Sequence, residues 1–134
     1  MTNDINSQLL QSLNEQQQEA VLDFSNPLLV LAGAGSGKTR MLTNKIAYGL
    51  LNNHFDAQSF LAVTFTNKAA GEMKHRISQL SPELNLRDSW VSTFHSFGNR
   101  ILREHAHHLG YTSDFTIFDT SDQTSVGHQR LYNL

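Results

Sequence analysis

A glycine-rich segment at residues 32–39 constrains the fold of this chain more than any other feature. The apolar run at 28–31 directly before it predicts a buried β-strand, and apolar residues at helical spacing over 41–51 predict a helix directly after it. A strand, a glycine-rich loop and a helix in this order are the context of a phosphate-binding loop. The alternative interpretation is an ordinary strand-to-helix turn, but the spacing and both flanking elements favour the phosphate-binding loop.

The residue types in this loop suit a nucleoside triphosphate. Small residues allow successive backbone N–H groups to turn inward around phosphate oxygens, and the following helix directs its positive end at the same anion. The predicted triphosphate-binding residues are Ala32, Gly33, Ala34, Gly35, Ser36, Gly37, Lys38 and Thr39. Lys38, which would contact the β- and γ-phosphates, and Thr39, whose hydroxyl would hold Mg²⁺, are also the candidate catalytic residues. The motif usually begins with glycine; alanine here precedes the tight part of the loop and is sterically acceptable.

Length and composition are typical of one globular domain. The 134 residues suffice for a core, and the absence of cysteine excludes disulfides and thiolate metal sites. The polar, acid-bearing N-terminus differs from a signal peptide, and no apolar run approaches the ~20 residues that cross a bilayer. We therefore expect a cytoplasmic protein with no membrane partner.

The charged residues are distributed unevenly along the chain. Residues 38–103 carry nine Lys or Arg against four acids, whereas residues 1–37 carry four acids and no Lys or Arg. The basic middle segment is where the phosphates of a nucleotide or a nucleic acid would bind. Ordinary solvated surface charge accounts for the same asymmetry equally well.

Strands and helices are expected to alternate along the chain. Strands are predicted at 28–31, 60–65, 90–93 and 115–118. Near-continuous apolar strands that alternate with helices predict a doubly wound parallel α/β sheet, whose ligands bind at the carboxyl ends of the strands.

The helix boundaries are predicted from capping residues. Asn14 begins a short helix with Gln17 in a capping box, and this helix ends near Asp23. Asn67 is the candidate cap of a later helix, Gly110 ends the next one, and Thr120 or Ser121 begins the last. Residues 1–12 show little periodicity and are expected to be flexible.

Polar and aromatic residues follow two of the predicted strands. Hydroxyls and amides mixed with aromatic rings suit single-stranded nucleic acid, because bases stack on rings while phosphates accept hydrogen bonds. The candidate DNA-binding residues are Thr64, Phe65, Thr66, Asn67, Lys68, Thr93, Phe94 and His95. Each has an alternative interpretation: the polar residues as helix caps, and Phe65, Phe94 and Phe97 as core residues.

Three histidines near one another, His105, His107 and His108, raise the question of a metal site. A zinc ion would need further ligands, and no cysteine exists to supply them. We therefore predict partly buried histidines that serve packing.

Several of these segments together resemble the N-terminus of superfamily-1 DNA helicases of the UvrD/Rep/PcrA kind. Residues 13–21 are similar to the glutamine motif of that family, and 32–39 match its phosphate loop, alanine included. Residues 62–70 and 93–96 resemble its first two DNA-contact motifs, and 115–119 resemble the segment that follows. The resemblance covers about residues 10–123 in the right order.

The resemblance implies further roles. It implies a RecA-like P-loop NTPase fold with about three to four strands of a first motor domain, ATP and Mg²⁺ as cofactors, and single-stranded DNA as partner. Gln17 would read the adenine edge, although its capping interpretation holds as well, and Arg40 would lie near the base or ribose. The implied organisation is a flexible 1–12, a partial ATP-binding domain at 13–123 and a divergent tail at 124–134, which lacks the expected helical apolar pattern.

The family's hydrolytic machinery is incomplete in this sequence. Such enzymes use an acidic pair that holds Mg²⁺ and activates water, but no apolar run ending in adjacent acids occurs here. The charge-stabilising arginine and the second motor domain are also absent.

The leading hypothesis is the ATP-binding, DNA-contacting N-terminal part of a 3′–5′ DNA helicase of repair or replication, which alone binds ATP weakly at best and does not unwind duplex. The alternatives are a non-catalytic truncated remnant that binds nucleotide, DNA or nothing, and a small P-loop kinase, for which no arginine-rich lid segment is present.

Overall fold

The computed structural model describes residues 2–80, 82, 86 and 89–131, with the side chains of residues 4–126 within these ranges. The helices are α1 (Thr2–Gln11), α2 (Glu15–Leu22), α3 (Lys38–Leu51), α4 (Asn67–Leu80), α5 (Phe94–His105) and α6 (Thr120–Leu131). The strands are β1 (Leu61–Thr64) and β2 (Trp90–Thr93), and a short 3₁₀ helix covers Ala106–Leu109. The chain forms two compact units, Met1–Phe97 and Gly98–Leu134.

The sheet of the first unit consists of β1 and β2, which run parallel with Leu61 opposite Trp90 and Thr64 opposite Thr93. The strands predicted at 60–65 and 90–93 are therefore confirmed, and α4 connects them as the crossover helix that a parallel pair requires. Because the pair is in register, the carboxyl ends of both strands lie side by side.

The core of the first unit packs α3 and α4 against this sheet. Met73 and Ile77 of α4 are almost fully buried, together with Val91 of β2 and Ile46 of α3. These α4 residues repeat at helical spacing, and they place one face of the helix on the strands. A second buried cluster, formed by Leu13, Ala20, Val21 and Met41, joins α2 to α3.

The strands predicted at 28–31 and 115–118 do not form, and the described residues contain a two-stranded sheet rather than a doubly wound one. Leu29 and Leu31 are 82% and 87% exposed, so the apolar run is not buried. A strand exists only where a neighbouring chain segment pairs with its backbone N–H and C=O groups. Apolar composition indicates a tendency for strand formation but supplies no such neighbour.

The N-terminal residues form α1, although little regular structure was expected for 1–12. Leu9 is buried, and the Asn44 side chain of α3 donates a hydrogen bond to its carbonyl over 2.7 Å. Tertiary contact with α3 therefore stabilises a helix whose own periodicity is weak.

The capping box of α2 is confirmed in both directions. The Asn14 side chain accepts from the Gln17 N–H, and the Gln17 side chain accepts from the Asn14 N–H. Lys45 of α3 fixes the other end of this helix by donating to the carbonyls of Ala20 and Asp23. Burial lowers the pKa of Lys45, and the Asp23 charge opposes that shift in part.

Two other caps differ from the prediction. Thr66 rather than Asn67 caps α4, because its hydroxyl accepts from the Ala69 N–H over 3.1 Å. Asp119, rather than Thr120 or Ser121, caps α6: its carboxylate accepts from the Asp122 N–H over 2.8 Å, and the Asp122 carboxylate accepts in return. In both cases the cap is the residue directly before the one expected.

The second unit contains the 3₁₀ helix, α6 and the segment between them. Gly110 is left-handed with φ +75° and ends the 3₁₀ helix, whereas α5, which it was expected to end, already ends at His105. Phe115 and Thr116, predicted to be in a strand, instead help to line an apolar cavity of about 280 Å³ beside Leu102 and Tyr111. Helix α6 includes the start of the segment that was expected to lack a helical pattern.

The three histidines are exposed, so the prediction that they are partly buried is wrong. The rings of His107 and His108 lie 4.0 Å apart, and His105 stacks on His108 at 5.8 Å. Among the described residues, no group of three or more potential ligands could hold a metal ion. No described helix combines the length and apolarity of a membrane span.

Candidate functional site

The glycine-rich loop turns sharply between residue 33 and the start of α3. Gly35 and Gly37 adopt left-handed conformations with φ +74° and +81°, which side chains with a Cβ rarely adopt. A Cβ added at Gly33 or Gly35 would meet nothing within 4 Å, so there is open space beside the loop at both positions. The glycines are therefore required for the turn, and the turn leaves room for a ligand.

Lys38 folds back over the loop that precedes it. Its ammonium donates hydrogen bonds to the carbonyls of Ala32 over 2.9 Å and Gly33 over 2.6 Å. This geometry places a positive charge beside the loop, and among the described residues no carboxylate forms an ion pair with it. An anion in the loop would compete with these two neutral carbonyls for the ammonium, and charge-assisted bonds are the stronger ones.

A polar cavity of about 310 Å³ adjoins the loop and contains three cationic side chains. Its lining residues are Gly35, Ser36, Gly37, Lys38, Thr39, Arg40 and Arg76. The first six belong to the predicted site. Arg76 of α4 was not predicted, because it lies 36 positions after Arg40 in sequence and follows no motif spacing. Packing of α4 against α3 brings it to the loop.

The loop and the end of β1 border one common cavity of about 280 Å³. Lys38 and Thr39 line one side of it, and Thr64, Phe65 and Thr66 line another. The structure therefore brings the start of α3 and the carboxyl end of β1 together, as expected for a parallel sheet. Thr93 lies directly opposite Thr64, so the end of β2 belongs to the same edge.

Two aromatic rings stand exposed at this edge. Phe65 is 90% exposed and Phe94 is 51% exposed, and their ring centroids lie 5.6 Å apart. The alternative interpretation of both residues as core residues is therefore wrong. Phe97, in contrast, is partly buried and packs edge-on against Trp90, although it belongs to neither of the two buried clusters.

The polar candidates at the edge divide into caps and free surface residues. The Thr93 hydroxyl is buried and accepts from the Ser96 N–H over 3.2 Å, and Thr66 caps α4, so the capping interpretation holds for both. Asn67, Lys68 and His95 are exposed beside the two rings. Thr93 is therefore closed to a ligand, whereas Thr66 is exposed and lines the common cavity, so Thr66 and the three exposed residues can reach a ligand.

Gln17 lies against the loop as well as at the start of α2. Its amide nitrogen donates to the Ser36 carbonyl over 2.8 Å, and its amide oxygen accepts from the Asn14 N–H over 3.1 Å. A cavity of about 220 Å³ separates α2 from the apolar run, and it is lined by Asn14, Gln16, Gln17, Val30, Leu31, Ala32, Ser36 and Met41. The predicted base-reading residue thus stands beside an open cavity of mixed polarity.

Comparison with known proteins identifies a family. A family model described as the UvrD/REP helicase N-terminal domain matches residues 13–133, which extends beyond the boundary expected at 123. The ATP-dependent DNA helicase PcrA of Bacillus subtilis is 53% identical over 125 residues, which are 92% of this chain and 17% of that protein.

Two further relatives agree with this match. PcrA of Staphylococcus epidermidis is 50% identical over 118 residues, and a probable DNA helicase II homologue of Mycoplasma capricolum is 46% identical over 118 residues. In both cases the match covers 88% of this chain and 16% of the relative. The chain therefore spans about one sixth of the length of the relatives that it matches.

Proposed function

The chain belongs to the UvrD/REP helicase family, and from that premise we propose that residues 32–39 bind the triphosphate of ATP with Mg²⁺ while the adjoining strand ends contact single-stranded DNA. The observation that carries this proposal is the common cavity lined by Lys38, Thr39 and Thr64–Thr66. A nucleotide and a DNA strand could each occupy this edge without crossing the core.

The donor set around the loop fits a triphosphate. Lys38, Arg40 and Arg76 surround one polar cavity, and three cations near an open turn favour a polyanion. Lys38 would exchange its two carbonyl partners for phosphate oxygens, and the Thr39 hydroxyl at the start of α3 would hold Mg²⁺. Arg40 and Arg76 would contact the phosphates or ribose from the open side. Bound ATP supplies a transferable γ-phosphoryl group and Mg²⁺ polarises it.

The DNA-contacting part of the proposal depends on the two exposed rings. Phe65 and Phe94 offer neighbouring apolar faces to bases, while Asn67, Lys68 and His95 offer donors to phosphates. Thr64, Thr66 and Thr93 hold the strand ends in place through backbone contacts and hydrogen bonds of their own.

The exposed apolar run at 28–31 supports a larger sheet than the one described. Four consecutive apolar residues directly before a phosphate loop are typical of a parallel strand covered on both faces. We propose that this run is a strand of a complete RecA-like, doubly wound sheet, with pairing partners that the described residues do not supply.

We propose the activity of the full-length relatives only for a longer form of this protein. Such an enzyme would couple ATP hydrolysis to 3′–5′ movement on single-stranded DNA in repair or replication. The 134 residues contain neither the acidic pair nor a second motor domain. We therefore expect the chain by itself to bind Mg·ATP without steady-state hydrolysis and without unwinding a duplex, which a coupled ATPase assay and a strand-separation assay would check. Hydrolysis above background that Lys38→Ala removes would contradict this expectation.

Replacing Phe65 by alanine tests the DNA surface. We expect the affinity for a fluorescent thymidine oligonucleotide, measured by anisotropy, to fall by about 5- to 150-fold, because stacking of one base on a ring contributes roughly 1–3 kcal/mol. The melting temperature should not change, since the ring is 90% exposed.

Leu29→Ala is the matched control, because Leu29 is an equally exposed apolar residue outside the strand ends. It should leave DNA affinity unchanged. A Phe65→Ala variant that melts at a lower temperature and binds DNA like the wild type would contradict the stacking proposal and support a packing role.

A further inference from the structure

Gln17 has both ends of its side-chain amide engaged before any ligand is present. The oxygen accepts from the Asn14 N–H over 3.1 Å, and the nitrogen donates to the Ser36 carbonyl over 2.8 Å. These partners define the orientation of the amide, because an N–H requires the oxygen and a carbonyl requires the nitrogen. The capping box of α2 therefore orients the Gln17 amide nitrogen, a hydrogen-bond donor, towards the phosphate loop.

The contact with Ser36 determines the direction of the next peptide group. In a trans peptide the C=O and the following N–H point in opposite directions, and no described peptide bond is cis. Because the Ser36 carbonyl points at Gln17, the Gly37 N–H points away from it. Backbone N–H groups of this kind are the groups that bind phosphate in such loops.

The left-handed conformation of Gly37 is costly to order, so a hydrogen bond from outside the turn would stabilise it. Its φ is +81°, and glycine loses more conformational freedom on ordering than any other residue. A Cβ at this position would lie 3.6 Å from the Gln17 amide nitrogen, which shows how closely the side chain approaches the turn. The Lys38 ammonium holds the first part of the turn at Ala32 and Gly33, but the backbone bond from the Ser36 N–H to the Gly33 carbonyl is long at 3.3 Å.

We propose that Gln17 is a positioning residue for the phosphate loop: it holds the Ser36–Gly37 peptide in its phosphate-binding orientation whether or not a base is present. This inference rests on the proposed function of the loop and adds a role to the adenine contact that the family resemblance implies. If Gln17 contacted only the adenine base, its replacement would lower the affinity only for ligands that carry adenine. A residue that orients the loop affects every ligand with a polyphosphate.

The test is the affinity of the full chain for Mg·ATP and for magnesium tripolyphosphate, measured by calorimetry. Gln17→Ala should weaken binding of tripolyphosphate by about three- to tenfold, the usual value of one hydrogen bond, and binding of ATP by at least as much. Unchanged tripolyphosphate affinity, with ATP affinity reduced, would overturn the positioning role and leave a base contact.

Gln18→Ala is the matched control. The neighbouring Gln18 amide donates to the carbonyls of Leu10 and Leu13, so its loss disturbs the α1–α2 junction but not the loop. It should leave both affinities unchanged while lowering the melting temperature as much as Gln17→Ala does. Equal losses of tripolyphosphate affinity in both variants would show a general effect of stability and would also overturn the inference.

A second measurement decides the inference even if the chain binds no nucleotide. Gln17→Glu retains an oxygen that can accept from the Asn14 N–H, but it has no N–H to donate to Ser36. We expect nitrogen-15 relaxation of the ligand-free chain to show lower order parameters at Ser36 and Gly37 in this variant, with α2 unchanged. Unchanged order parameters at Ser36 and Gly37 would overturn the inference that Gln17 holds this peptide group in place. Failure of the wild type to bind either ligand would instead refute the proposed function.

Discussion

Replacing Lys38 by alanine is expected to lower the affinity of the chain for Mg·ATP by about 10- to 150-fold, the range for hydrogen bonds to a charged group. In the free chain the partners of the ammonium, within the part of the chain that the structure describes, are the carbonyls of Ala32 and Gly33. Phosphate oxygens are stronger acceptors for it, so the gain on binding is large. Both carbonyls lie on exposed residues and can bond to water in the variant, so the fold should persist.

The control for this experiment is Lys68→Ala. Lys68 is exposed on α4 and does not line the loop cavity, so its loss should leave ATP affinity within twofold of the wild type. DNA affinity should show the opposite pattern, with Lys68→Ala weaker and Lys38→Ala near the wild type. Equal ATP affinity for the wild type and Lys38→Ala, measured by calorimetry, would refute the assignment of the loop.

Replacing Ile77 by alanine is expected to lower the free energy of unfolding of the chain by about 2–5 kcal/mol. Ile77 is 0% exposed and belongs to the cluster that joins α4 to both strands. Its truncation leaves a cavity between α4 and the two strands. Because small domains are stable by only about 5–15 kcal/mol, a loss of this size is large. Urea unfolding followed by circular dichroism measures it directly.

Leu29→Ala is the control, because it truncates an exposed apolar side chain instead of a buried one. Leu29 is 82% exposed, so its truncation should change the unfolding free energy by less than about 0.5 kcal/mol. A similar loss for Ile77→Ala and Leu29→Ala would mean that α4 does not pack on the strands as described. It would also remove the basis for placing Arg76 beside the loop.

The local signals in the sequence predicted the structure around the loop and the two strands better than the extent of the sheet. The Asn14–Gln17 capping box, the loop that ends where α3 begins at Lys38 and the parallel strands β1 and β2 are all confirmed. Each of these features depends on residues that are close in sequence or on strongly apolar strands with a crossover helix between them. Local sequence was sufficient for the capping box and the loop, and the crossover helix between β1 and β2 was sufficient for their pairing.

Features that depend on distant partners were not predictable in the same way. The run at 28–31 has the composition of a strand, but a strand requires a paired neighbour, and the described residues pair β1 only with β2. Helix α1 was missed for the converse reason, since a hydrogen bond from Asn44 to Leu9, 35 positions earlier in the sequence, stabilises it. Arg76 reaches the loop only because α4 packs on α3.

The central claim is that one edge of the first unit carries a triphosphate loop and, beside it, a separate surface for single-stranded DNA. Amide chemical-shift mapping of the isotopically labelled chain tests it most directly, first with Mg·ATP and then with a thymidine oligonucleotide. We predict that ATP shifts the amides of residues 33–40 and that the oligonucleotide shifts those of 65–68 and 94–95. Shifts confined to other segments, or an ATP titration that leaves residues 33–40 unmoved, would contradict the claim.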